Sequence, residues 1–62
     1  MDSREIIKRL KDAGWVEVGR EGSHRQFKHP DRPGRVTVPH PCKDMKIGTL
    51  KSIERQSGLS LW

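Results

Sequence analysis

Two segments with helical spacing flank three short runs that turn formers keep apart, and this punctuation leaves few folds open to the chain. From Asp2 to Ala13 the residues Ile6, Ile7, Leu10 and Ala13 fall on one stripe, with Arg4, Lys8, Lys11 and Asp12 on the remainder. Asp2 followed three positions later by Glu5 resembles a capping box, and Gly14 supplies the stop. The run Trp15-Val16-Glu17-Val18-Gly19 predicts a strand with Val16 and Val18 on its covered face, and Arg20-Glu21-Gly22 a hairpin connection. A second strand from about Ser23 to Lys28 sets His24, Gln26 and Lys28 on one face and Arg25 and Phe27 on the other. With Phe27 turned to the core, His24 points outward.

The stretch from His29 to Gly34 is rich in turn formers and reads as a loop, after which Arg35-Val36-Thr37-Val38 is a third strand with its valines inward. Pro39-His40-Pro41 ends it. Beyond Cys42 and Lys43, Asp44 is placed to cap a second helix on which Met45, Ile47, Leu50 and Ile53 recur, weakened at Gly48 and closed at Gly58, before an apolar tail through Trp62. The expected fold is α+β in the order α-β-β-β-α, a three-stranded antiparallel sheet with two helices on one face. No repeat, low-complexity segment or linker interrupts it, so residues 1–62 form a single domain.

A domain of 62 residues buries only about 60% of the surface its unfolded chain exposes. It has no room for a deep substrate cavity, and chemistry must happen on a shallow face or be completed by a partner. Lys and Arg number 13 against 8 Asp and Glu, a net charge of +5 that favours polyanions. One cysteine, Cys42, excludes an internal disulfide framework and suits a reducing compartment. No apolar stretch matches a signal peptide or the roughly 20 residues that span a bilayer, so a cytoplasmic location without membrane association is expected.

Several short motifs recur here in a fixed order: Gly14-Trp15, Gly22-Ser23-His24, Phe27-Lys28-His29-Pro30, Val36-Thr37-Val38-Pro39, and Gly48-Thr49-Leu50 through Ile53 to Gly58. In order, spacing and total length the chain resembles the HicA toxin family across nearly its whole extent. The resemblance implies a double-stranded-RNA-binding-domain-like fold and mRNA interferase activity, with an antitoxin of the HicB family as partner in a hetero-oligomer. It also implies that His24, the histidine of the Gly-Ser-His motif, is required for cleavage. The histidine and cysteine of Pro39-His40-Pro41-Cys42 align with no family function.

RNA carries its own nucleophile, the 2′-hydroxyl, so cleavage needs protons moved and the charged phosphorane stabilised, with no cofactor required. An imidazole, with an unperturbed pKa of about 6.5, suits proton transfer at cellular pH. His24 is therefore the candidate acid or base. Arg25, Lys28, Lys8, Lys43 and Lys46 are the candidate RNA-binding cations, although the helix cations read most simply as solvated faces and alternation puts Arg25 beside Phe27. Ser23 reads as a turn residue rather than a nucleophile, and Gly22 as a positive-φ position. Trp15 packs at the core edge in preference to stacking on bases, an alternative also open to Trp62.

His24, His29, His40 and Cys42 are separated by four, ten and one residues, which fits no common zinc-finger pattern, and no metal is expected. The leading expectation is thus a metal-independent endoribonuclease acting on mRNA, held inactive by an antitoxin that covers His24 and the basic face. The alternative is a non-catalytic module of double-stranded-RNA-binding type, distinguished by the absence of His24-dependent cleavage.

Overall fold

The computed structural model describes residues 1–61. Its elements follow the expected order: α1 (Ser3–Asp12), β1 (Val16–Glu21), β2 (His24–His29), β3 (Arg32–Pro39) and α2 (Ile47–Ser57), with an antiparallel sheet ordered β1-β2-β3. α1 buries Ile6 and Leu10 completely, and Asp2 caps it by accepting the Arg4 amide at 2.8 Å. Glu5 turns along the helix to Arg9 at 3.4 Å. The helix-covered face of the sheet contributes Phe27, Val36 and Val38, which meet Ile6, Leu10, Trp15, Met45, Leu50, Ile53 and Leu61 in one core.

Three expectations need correction. Val16 and Val18 do not face the helices; they are 58% and 51% exposed. Both helices pack chiefly against β3, so the apolar residue that reaches the core from this segment is Trp15, at the junction before the strand. A bulge between Glu17 and Gly19 then interrupts the alternation on which the expectation rested.

The second correction concerns α2, which begins at Ile47 with Lys46 as its cap residue and no side-chain capping bond, so Asp44 does not cap it. Met45 is buried ahead of the helix, and Ile47, expected on the buried stripe, is 53% exposed. Beginning the helix at Ile47 leaves its apolar contacts to Leu50 and Ile53, three residues apart.

The third correction is that β3 starts at Arg32, not Arg35, and pairs from His29↔Arg32 to His24↔Pro39. Pro33 is tolerated because β3 is an edge strand. Its outer side is tied to α2 by the Gln56 amide oxygen, which accepts the Thr37 N–H at 3.4 Å, and by Arg32, which donates to the Ser57 carbonyl at 2.6 Å. The tail is pinned through Leu61, whose amide donates to Glu54 at 2.7 Å; Trp62 lies outside the described residues.

Candidate nucleic-acid interface

His24 opens β2 immediately after the two-residue turn Gly22-Ser23, opposite Glu21 on β1 and Pro39 on β3. Gly22 sits at φ +59°, the left-handed conformation this turn demands and other L-residues adopt at a cost. Because Phe27 is fully buried, alternation carries His24, Gln26 and Lys28 to the open face, and His24 and Lys28 are exposed. The register sets Thr37 beside Gln26, and Arg35 donates to the Gln26 side-chain oxygen at 2.6 Å. The open face thus presents His24, Lys28 and Arg35 together. Arg35 was not among the cations singled out from sequence, yet the inward valines at 36 and 38 already send it outward.

The expected RNA-binding cations do not form one patch. Lys28 shares the open face with His24, Lys8 is exposed on α1, and Lys43 and Lys46 are exposed on the segment leading into α2. Arg25 lies on the helix side, as alternation requires, where it meets Glu17 at 3.3 Å with both side chains 25% exposed. That carboxylate neutralises it in place.

The three histidines are separated by their hydrogen bonds. His29 bonds the Ala13 carbonyl through Nε2 at 3.0 Å, accepts the Asp31 amide on Nδ1 at 3.0 Å, and packs edge-on against Trp15 at 5.3 Å. A Cβ at Gly14 would stand 2.8 Å from this ring, so the glycine admits the close approach. His40 bonds Ser3 through Nδ1 at 2.8 Å. Among the described residues, His24 is the histidine whose ring is held by no hydrogen bond.

No three His, Cys, Asp or Glu side chains among the described residues converge as a metal-binding group. The Asp2 carboxyl is held below its usual range by the Arg4 amide and then the Arg4 guanidinium. No helix among these residues is long and apolar enough to cross a membrane.

Fold and interface together define a small α+β domain with the element order of double-stranded-RNA-binding folds, carrying an untethered histidine at the rim of a basic sheet face. Residues 3–59 match the HicA toxin of bacterial toxin–antitoxin systems, and the chain belongs to that family. It is also similar to a chain from a solved HicA3 and HicB3 toxin–antitoxin complex, with 36% identity and a TM-score of 0.86 over 100% of both chains. No curated protein matches it.

Proposed function

We propose that this chain is the toxin of a toxin–antitoxin pair, an endoribonuclease that cuts mRNA without a metal ion and uses His24 as a proton-transfer group. The observation that carries the reading is the exposed, untethered imidazole of His24 at the hairpin rim, on the same face as Lys28 and Arg35. In the reaction the 2′-oxygen bonds to phosphorus as the bond from phosphorus to the 5′-oxygen breaks. The proton lost by the 2′-hydroxyl is taken by a base, and the departing 5′-oxygen acquires one from an acid. His24 serves one of these transfers, a role worth about 10² to 10⁴ in rate. Lys28 and Arg35 hold the phosphate backbone by charge.

The likeness to a chain of the HicA3 and HicB3 complex supports a HicB-type antitoxin as partner. On this reading the pair is a cytoplasmic hetero-oligomer in which the antitoxin covers His24. The test is cleavage of a long unstructured RNA in excess EDTA, beside a folded His24→Ala variant. Cleavage by the parent alone is expected. Equal cleavage by both removes His24 from the chemistry, and binding without cleavage by either selects a non-catalytic RNA-binding module.

A further inference from the structure

The segment after β3 folds back onto the start of α1 and is fastened there at three points. Ser3 donates its amide to the Cys42 carbonyl at 2.8 Å, the Cys42 amide donates to Ser3 Oγ at 2.9 Å, and the Met45 amide donates to the Met1 carbonyl at 3.1 Å. Ser3 is fully buried, so where its hydroxyl proton goes can be deduced. A serine hydroxyl offers one proton and two lone pairs. One lone pair takes the Cys42 amide. Ser3 is the first residue of α1, so no helical carbonyl lies one turn before it to take the proton. The remaining partner is His40 Nδ1 at 2.8 Å, which must then act as acceptor. A neutral imidazole accepting on Nδ1 carries its proton on Nε2. Ser3 therefore turns the N–H of His40 away from itself.

His40 lines an open cleft of about 300 Å³ together with Asp2, Arg4, Pro41 and Lys43. The Asp2 carboxylate is occupied by the Arg4 amide at 2.8 Å and the Arg4 guanidinium at 3.4 Å, which leaves Lys43 as the uncompensated charge. The first amides of α1 are spent on Cys42 and Asp2, so any affinity of this cleft resides in side chains. The cleft is joined to the His24 site by backbone: the His40 amide donates to the Ser23 carbonyl at 2.6 Å, and Pro39 stands opposite His24. His24 lies on the open face of this rim and His40 on the helix side.

We propose that the cleft is a phosphate subsite for the RNA bound at His24, in which neutral His40 donates Nε2–H to a backbone phosphate oxygen while Lys43 supplies charge. The proposal rests on the ribonuclease reading and extends it to the path of the strand. An RNA crossing the rim is held on both sides of the hairpin, with the reacting phosphate at His24 and a flanking one at His40.

The test is the affinity of the full chain for a 2′-O-methyl oligoribonucleotide, which lacks the nucleophile, measured across a salt series for the parent, His40→Asn and Lys43→Ala. Asparagine keeps an acceptor for Ser3, and its amide N–H2 stops short of the Nε2 position, so His40→Asn is expected to retain its unfolding midpoint and bind about tenfold more weakly with an unchanged salt slope. Lys43→Ala, at an exposed position, is expected to reduce the slope by about 0.7. Parent-like affinity in His40→Asn, or a parent-like slope in Lys43→Ala, overturns the subsite while leaving His24-dependent cleavage intact. Should His40→Asn unfold, Lys43→Ala still decides the matter. A parent protein that binds no RNA under any condition removes the ribonuclease reading, and the subsite with it.

Discussion

Replacing His29 with alanine removes three interactions at once: the bond to the Ala13 carbonyl, the bond from the Asp31 amide and the edge-on contact with Trp15. A hydrogen bond contributes a net of about 1 kcal/mol, and an aromatic pair about 0.5–1.5 kcal/mol beyond its burial. Asp31 is exposed, so water replaces its partner in the variant and that loss shrinks. The expected cost is about 2 kcal/mol. A chain of 62 residues has a stability of roughly 3–9 kcal/mol at the usual 0.05–0.15 kcal/mol per residue, so His29→Ala still folds. Its melting temperature is expected to fall by roughly 8–16 °C.

His24→Ala, at an exposed rim position, is expected to stay within about 0.5 kcal/mol of the parent. Urea unfolding followed by tryptophan fluorescence measures both variants, and RNA cleavage is then assayed without denaturant at a temperature where each is folded. The expected pattern is crossed: His29→Ala loses stability and keeps activity per folded molecule, and His24→Ala does the reverse. A His29→Ala midpoint indistinguishable from the parent would refute the energetic argument. Loss of cleavage by fully folded His29→Ala would place His29 in the chemistry instead of the scaffold.

Val16→Thr and Val18→Thr, at exposed sites on β1, are expected to change the unfolding free energy by less than about 0.5 kcal/mol, whereas Val36→Thr buries a hydroxyl and is expected to cost about 1–3 kcal/mol; equal costs in urea titrations would contradict the placement of β1. Asp2→Asn keeps a capping oxygen and removes the charge. Because the folded pKa of Asp2 is depressed, its contribution is present above about pH 4 and is lost as pH falls through the lowered folded value. Acid unfolding of Asp2→Asn is therefore expected to show a shallower stability loss below about pH 4, and a profile identical to the parent would count against that linkage.

Where hydrophobic period and turn punctuation agree, spacing along the chain is enough to place a side chain. The stripe of Ile6 and Leu10, the inward Phe27 and the alternating Val36 and Val38 all sit where spacing puts them, because each has a helix or sheet directly above it. The first strand escapes that logic. Its valines have the right alternation, but the helices lie chiefly over β3 and a bulge interrupts the register, and neither fact is local to residues 16–18. Asp44 fails similarly: it is a good capping residue in the wrong place, because burying Met45 and pairing its amide with Met1 delays the helix to Ile47. On the open sheet face, alternation from the buried Phe27 is enough to place His24 outward. The Ser3–His40 pair is illegible because its residues stand 37 apart and meet only after β3 returns to α1.

The thin core shapes how such a domain is controlled. With one face of the sheet committed to the helices, the other face and the rim are what remains open, and the rim is a single fastened structure: Ser23 accepts from His40, and Ser3 secures both His40 and Cys42. On the proposed reading, an antitoxin seated on the Gly22-Ser23 turn must lie against the segment beginning at His40. It then withdraws the proton-transfer group and the flanking phosphate donors in one contact. A small inhibitory surface is sufficient for this, since the reacting and anchoring groups of the RNA path are adjacent through backbone hydrogen bonds. Distributing those groups over distant loops would require a larger inhibitor, because each would have to be covered separately.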